Sequence, residues 1–271
     1  MAAQWNAKNK NILITGAASG LGAAYAQALL RDGAQNIAVL DIDEKTGQNF
    51  VAKLNETYNN KAIFIRCDVS KEADIDNSFK TVLNQFQRID VLINNAGIMS
   101  DTDSLWRLAS DVNWQGLVSF TMKAVKHMRK DEGGAGGTIV NISSTAGICK
   151  LNFLPIYCGS KGAVLHFSQS LASAPFYDNT GIRVLTLCPG PTATKLMEGM
   201  DQRIVETTTM KQLQLDGVII QRIESAVAAM MKLLKDGDNG SIWLSANDKP
   251  ALELTPQINK YLNELEKLTL P

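Results

Sequence analysis

A chain of 271 residues with 27 basic and 27 acidic side chains has room for one large α/β domain and carries no net charge. That balance offers no field to attract a nucleic acid or an anionic membrane, so neither is expected as a partner. Its four cysteines, Cys67, Cys149, Cys158 and Cys188, show no C-x-x-C spacing, and only His127 and His166 accompany them, so no metal site is expected.

The opening Met1–Lys8 lacks the apolar core of a secretory leader, which makes a cytoplasmic protein with reduced thiols the expectation. Asn11–Thr15 (NILIT) reads as a strand, and Gly16-Ala-Ala-Ser-Gly20-Leu-Gly22 follows it at once. Ala23–Leu30 then reads as a helix of good helix formers. The run from Asn11 to Leu30 is uncharged, but its glycines and polar residues make strand, turn and helix the reading, not a membrane span. Such a turn lets backbone N–H groups at a helix N-terminus meet a pyrophosphate, and glycine lets the backbone come close. Asp41 ends the next apolar run, Ile37–Leu40, nineteen residues after Gly22. An acidic residue there is placed to hold the adenosine ribose hydroxyls and to repel a 2′-phosphate, which favours NAD over NADP.

Further strands are expected near 62–67, 89–93, 137–142, 182–187 and 241–245, besides those near 11–15 and 36–41. Helices are expected near 20–32, 44–58, 72–87, 104–130, 155–177 and 222–235. The strands are short Val/Ile/Leu runs of the kind covered on both faces in parallel sheets. The pattern predicts one α/β domain over residues 1–271, a Rossmann-type doubly wound parallel sheet of about seven strands with helices on both faces. Gly16, Asp41, Asp68, Asn94, Ser143–Ser144 and Pro189 then fall at strand C-terminal ends, the edge where such sheets bind ligands. Thr255-Pro256 predicts a cap and first turn for a tail helix within about 247–271. Its apolar face is Ile258, Tyr261, Leu262, Leu265 and Leu268. That face suits docking on its own subunit or on a partner subunit.

Tyr157-Cys-Gly-Ser-Lys161 is the candidate for the chemistry, although taken alone the same spacing also fits an ordinary exposed tyrosine–lysine pair on a helix. Tyrosine and lysine four apart on a helix project from one face, which sets an ammonium beside a phenol and favours its phenolate. Ser144 lies thirteen residues before the tyrosine, and Asn113 further upstream. Together these segments resemble the short-chain dehydrogenase/reductase family. Thr15–Gly22 looks like its T-G-x-x-x-G-x-G cofactor motif, Cys67-Asp68-Val69 its adenine-contacting aspartate, and Asn94-Asn95-Ala96-Gly97 its N-N-A-G motif. Pro189-Gly190 with Thr194 resembles the P-G-x-x-x-T segment that contacts the nicotinamide carboxamide. Within the family, the Cys188-Pro-Gly and Thr138–Ser144 segments look most like the 15-hydroxyprostaglandin dehydrogenases and the insect alcohol dehydrogenases.

The resemblance implies catalytic Asn113, Ser144, Tyr157 and Lys161. Tyr157 moves the proton, Lys161 holds the nicotinamide ribose and lowers the tyrosine pKa, and Ser144 binds the substrate oxygen. Asn113 helps hold a water that connects Lys161 to solvent. NAD contacts are expected from Gly16, Ser19, Gly20, Leu21, Gly22, Asp41, Ile42, Asp68, Val69, Asn95, Ala96, Gly97, Tyr157, Lys161, Pro189, Gly190, Thr192 and Thr194. Ser144, Tyr157, Met99, Phe153, Leu154 and Met197 are expected at the substrate, with about 195–220 as a Met- and Leu-rich lid. A hydrophobic secondary alcohol or ketone is the expected substrate. A lipid-derived alcohol, prostanoid-like hydroxy acid, steroid or aliphatic alcohol would qualify. The rival readings are an epimerase or dehydratase, a non-catalytic NAD-binding sensor or scaffold, and an NADPH-dependent carbonyl reductase. A homodimer or homotetramer is expected through the helices bearing Asn113 and Tyr157. Leu117, Val118, Phe120, Val125, Leu165, Phe167, Leu171 and Phe176 supply their apolar surface.

Overall fold

The computed structural model describes residues 5–205 and 217–269. One sheet of eight strands runs through it, in the order β3-β2-β1-β4-β5-β6-β7-β8. The first seven are β1 (Asn11–Thr15), β2 (Asn36–Asp41), β3 (Ala62–Arg66), β4 (Val91–Asn94), β5 (Gly137–Ile142), β6 (Ile182–Pro189) and β7 (Ile242–Ser245). All seven are parallel, and nearly every residue of β1, β4 and β5 is buried, as strands covered on both faces must be. The eighth, β8 (Leu252–Glu253), pairs antiparallel with β7 and is exposed. Two residues without alternation leave no periodic trace in a sequence, which is why only seven strands were expected.

Helices cover both faces. On one side α1 (Gly20–Arg31), α2 (Glu44–Tyr58) and α8 (Ile223–Asp236) pack Tyr25, Leu29, Val51, Leu54, Met230 and Leu233 on the strands. On the other, α3 (Glu72–Phe86) and α5 (Leu117–Met128) bring Phe79, Val82, Phe120 and Met128. A fully buried Leu or Phe of this kind contributes ~1.5–3 kcal/mol. The strand order reverses between β1 and β4, and the crevice for a ligand opens beyond the C-terminal ends of that pair.

Two long helices differ from expectation. The segment expected over 104–130 is α4 (Trp106–Ser110), a π-helical stretch Asp111–Gly116, and then α5. The segment expected over 155–177 breaks into α6 (Pro155–Leu171) and α7 (Ala174–Thr180), because Pro175 has no N–H to continue the ladder. The expected interface residues also divide. Leu117, Phe120 and Val125 point into the core, so they supply no outer surface. Trp114 and Phe167 meet edge-to-face at 5.5 Å, and Met122 is half-exposed. The tail helix α9 (Thr255–Thr269) has no fully buried residue: Ile258 and Leu262 are half-buried, while Tyr261, Leu265 and Leu268 are exposed, so its apolar face is only partly covered by its own subunit. Thr255 ties the tail to the sheet: its hydroxyl accepts from the Ile242 N–H at 2.9 Å and donates to Glu253 Oε1 at 2.9 Å. Among the described residues no helix is long and apolar enough to cross a membrane.

Candidate active site

A cleft of ≈ 470 Å³ runs along the strand ends from Asp41 and Ile42 to Tyr157 and Lys161. At its first end the backbone does the shaping. Gly16 has φ +62°, and a Cβ there would sit 2.7 Å from the Ala96 backbone; one on Gly22 would sit 2.3 Å from the Gly16 carbonyl. Neither position tolerates a side chain while the turn stays this tight. Ser19 precedes α1 in extended geometry, so the free N–H groups of the helix start, with Gly20 and Leu21, border the cleft.

Asp41 shapes the same turn. Its Oδ2 accepts from the Ala18 N–H at 2.9 Å and its Oδ1 from the Asp43 N–H at 3.0 Å. Each carboxylate oxygen keeps a further lone pair for a ribose hydroxyl. Ile42 is more than half exposed beside it, and Asp68 and Val69 form the opposite wall. Burial opposes ionisation of Asp68, but the hydroxyl and N–H of Ser70 outweigh it and hold the carboxyl below its ordinary range. Asn95 borders the cleft with Ala96 and Gly97, yet its side-chain amide is committed to the turn, donating to the carbonyls of Thr15 (3.0 Å) and Gly16 (2.9 Å).

At the other end the groups are buried side chains. Lys161 is 4 % exposed and donates from Nζ to the Ile142 carbonyl at 2.9 Å. Burial lowers its pKa to about 8. Its ammonium lies 5.9 Å from the Tyr157 ring centroid. The Tyr157 phenol is pushed up to about 12 by burial, against a hydrogen bond with Ser144 that works to lower it. The expected lowering by Lys161 is therefore not the net effect, because desolvation of the phenolate dominates. Ser144 is held from two sides: its hydroxyl donates to the Pro189 carbonyl at 3.3 Å and accepts from the Ala146 N–H at 3.1 Å.

Asn113 sits in the π-helical stretch, whose wider turn directs it inward. Its amide exchanges two bonds with Ile98, accepting from the N–H and donating to the carbonyl, both at 2.8 Å. A Cβ on Gly97 would lie 3.3 Å from Asn113 Oδ1 and 3.5 Å from Lys161 Nζ, so the two side chains flank one small volume.

Of the remaining expected residues, Pro189 and Thr194 border the cleft, while Gly22, Gly190 and Thr192 lie behind its surface. Met99, Phe153 and Leu154 form a buried cluster against Tyr157, with Leu196 and Met197 packed on it. Met99, Phe153, Leu154 and Met197 sit behind the tyrosine, whereas Leu196 joins Ile98, Leu108 and Val112 in the apolar wall of the cleft. Met210, Leu213 and Leu215 of the expected lid lie outside the described residues.

The sequence reading missed Asp101. This buried carboxylate accepts from the first free N–H groups of α6, Ile156 at 2.5 Å and Tyr157 at 2.9 Å, and its own N–H donates to the Arg203 carbonyl at 2.9 Å. It caps the helix from far away in the chain and so fixes where Tyr157 starts. Burial raises its pKa, partly offset by the two N–H bonds. A cap more than fifty residues from its helix leaves no local pattern to read.

A glycine turn at the first strand end, an acidic residue at the second, and Ser144, Tyr157 and Lys161 opposite are thus brought to one cleft at the ligand-binding edge of a doubly wound sheet. The family model for short chain dehydrogenases matches residues 10–204, and the chain belongs to that family, oxidoreductases that bind a nicotinamide cofactor. It is 36 % identical over 194 residues to the rat 15-hydroxyprostaglandin dehydrogenase [NAD(+)], covering 71 % of this chain and 72 % of that one. To alcohol dehydrogenase 1 of Ceratitis cosyra it is 31 % identical over 239 residues, covering 87 % and 91 %. The solved structure of levodione reductase shares the fold with a TM-score of 0.77 at 24 % identity, over 89 % of this chain and 97 % of that one.

Proposed function

We propose that this protein is an NAD-dependent dehydrogenase that interconverts a hydrophobic secondary alcohol and its ketone. The observation that carries the reading is the placing of Ser144, Tyr157 and Lys161 around one end of a cleft whose other end is closed by Asp41. The cleft fits NAD. Its turn can be this tight only because Gly16 and Gly22 carry no Cβ to strike the Ala96 backbone and the Gly16 carbonyl, and such a turn suits a pyrophosphate, while Asp41 offers acceptors to two ribose hydroxyls and repulsion to a 2′-phosphate. The rat relative's name carries NAD(+) as well. When bound, NAD supplies the acceptor for the hydride.

This chain's residues do the rest. Ser144 orients the substrate oxygen beside the phenol. Tyr157, protonated at neutral pH as any phenol is and held so to higher pH by burial, gives its proton to a ketone oxygen in the reducing direction. The oxidising direction needs the phenolate, so its rate rises with pH. Lys161, held by the Ile142 carbonyl, keeps a positive charge below about pH 8 within reach of the phenolate and of the ribose next to it. Ile98, Leu108, Val112 and Leu196 give the substrate end an apolar wall, and the Arg203 guanidinium is taken up by the Leu196 and Glu198 carbonyls. An apolar alcohol suits that lining better than a sugar or polyanion.

The test is a screen of hydroxysteroids, prostanoid-like hydroxy acids and aliphatic secondary alcohols for absorbance of the reduced nicotinamide, with NAD and NADP in parallel. Turnover is expected with NAD and an apolar alcohol, and Asp41→Ala is expected to narrow the preference for NAD. Equal or faster turnover with NADP would sink the cofactor assignment.

A further inference from the structure

Pro189–Thr194 runs on from the end of β6 without entering a helix, and one buried side-chain amide ties it to the end of β7. Gln221 is 0 % exposed. Its Nε2 donates to Thr192 Oγ1 at 3.0 Å and to the Ser245 carbonyl at 2.9 Å, and its Oε1 accepts from Ser245 Oγ at 3.1 Å. A carbonyl oxygen can only accept, so the Ser245 contact fixes which end of the amide is which. The Gln221 backbone is committed to the same segment: its N–H donates to the Pro191 carbonyl at 2.9 Å and its carbonyl accepts from the Ala193 N–H at 3.0 Å. The Ser245 carbonyl also accepts from the Gly190 N–H at 2.7 Å, and Thr192 Oγ1 donates to the Gly190 carbonyl at 2.8 Å. Gln221 therefore links the end of β7 to the middle of the turn, and Thr194, at the turn's end, faces the cleft.

Burying a primary amide is costly unless its hydrogen bonds are made, and a leucine would fill the same space without that cost. What the amide adds is geometry. We propose that Gln221 is a positioning residue for the nicotinamide end of the cofactor site. By spacing Gly190, Thr192 and Thr194 from β7, it sets the polar groups that meet the carboxamide. This rests on the reading above that the turn after β6 holds the nicotinamide.

Calorimetric titration with NADH and with ADP-ribose, which lacks the nicotinamide, separates positioning from general support. The unmodified protein should bind NADH more tightly than ADP-ribose. Gln221→Leu should weaken NADH by about tenfold and leave ADP-ribose within about twofold. An equal loss for both ligands, or no loss for either, overturns the proposal. An unmodified protein that binds the two ligands equally would overturn the reading of the turn itself, and the proposal with it. Should Gln221→Leu fail to fold by circular dichroism, Ser245→Ala decides. It removes only the hydroxyl that holds Oε1, and a selective loss of about threefold for NADH is expected. Without that selectivity the proposal fails.

Discussion

At the nucleotide end of the cleft, recognition is offered by backbone N–H groups and the Asp41 carboxylate at strand ends, around a tight turn braced by the Asn95 amide. At the catalytic end it is offered by largely buried side chains, each held by a partner on another element. Asp41 reaches Ala18 across one strand–helix unit. Tyr157, by contrast, starts from a helix capped by Asp101, Lys161 leans on Ile142, and Ser144 on Pro189. The first end needs the ends of β1, β2 and β4 side by side, while the second exists only once the sheet and α6 have come together. Binding and chemistry should therefore be separable by substitution.

The largest effect should come from Tyr157→Phe, which removes the proton-carrying oxygen and leaves the ring in its apolar cluster. Turnover is expected to fall by about 10²–10⁴-fold, or ~3–5 kcal/mol of transition-state stabilisation, with NADH affinity retained. A fall under tenfold, measured as kcat in either direction, would break the division between the two ends.

Charge burial at the catalytic end should also show in stability. Folding moves Lys161 from 10.5 down to about 8, so between those values the unfolded chain holds more protons than the folded one. The stability this group contributes therefore rises with pH across that window. The Tyr157 phenol, protonated in both states below about pH 9, is common to the unmodified protein and the variant and so drops out of their difference. Urea unfolding at pH 7.5 and 9.5 should show the unmodified protein gaining on the order of 2 kcal/mol relative to Lys161→Met. A difference that stays constant with pH would contradict the buried ammonium.

A smaller effect is expected from Asp101→Ala, which strips the acceptor from two N–H groups at the start of α6. It should cost about 1–2 kcal/mol, read as a lowered thermal midpoint, and kcat should fall while NADH affinity holds. Asp101→Asn keeps one accepting oxygen and should recover part of both. Loss of NADH affinity in place of kcat would place Asp101 at the wrong end.

Much of this was legible before the fold was seen. The seven parallel strands announce themselves as apolar runs, and Gly16–Gly22, Asp41 and Tyr157–Lys161 sit where local rules put them. What escaped was non-local. Asp101 shows no sign in its own neighbourhood that it caps α6, and a two-residue edge strand has no period. Met99, Phe153 and Leu154 cluster with Tyr157 behind the cleft, a placement that sequence does not announce because apolar residues near a tyrosine look alike whether they face a cleft or back the ring. Leu117, Phe120 and Val125 read as interface for the same reason, since helix periodicity marks a face without saying what covers it.

The central claim is direct hydride transfer between an alcohol carbon and the cofactor, with Tyr157 moving the proton. The most direct measurement uses the alcohol turned over fastest in the screen, labelled with deuterium at its carbinol carbon. After reaction with NAD, deuterium is read on the nicotinamide ring of the NADH by mass spectrometry. The predicted result is one deuterium per NADH from the unmodified protein and almost no NADH from Tyr157→Phe. Unlabelled NADH, or labelled NADH formed at full rate by Tyr157→Phe, would contradict the account.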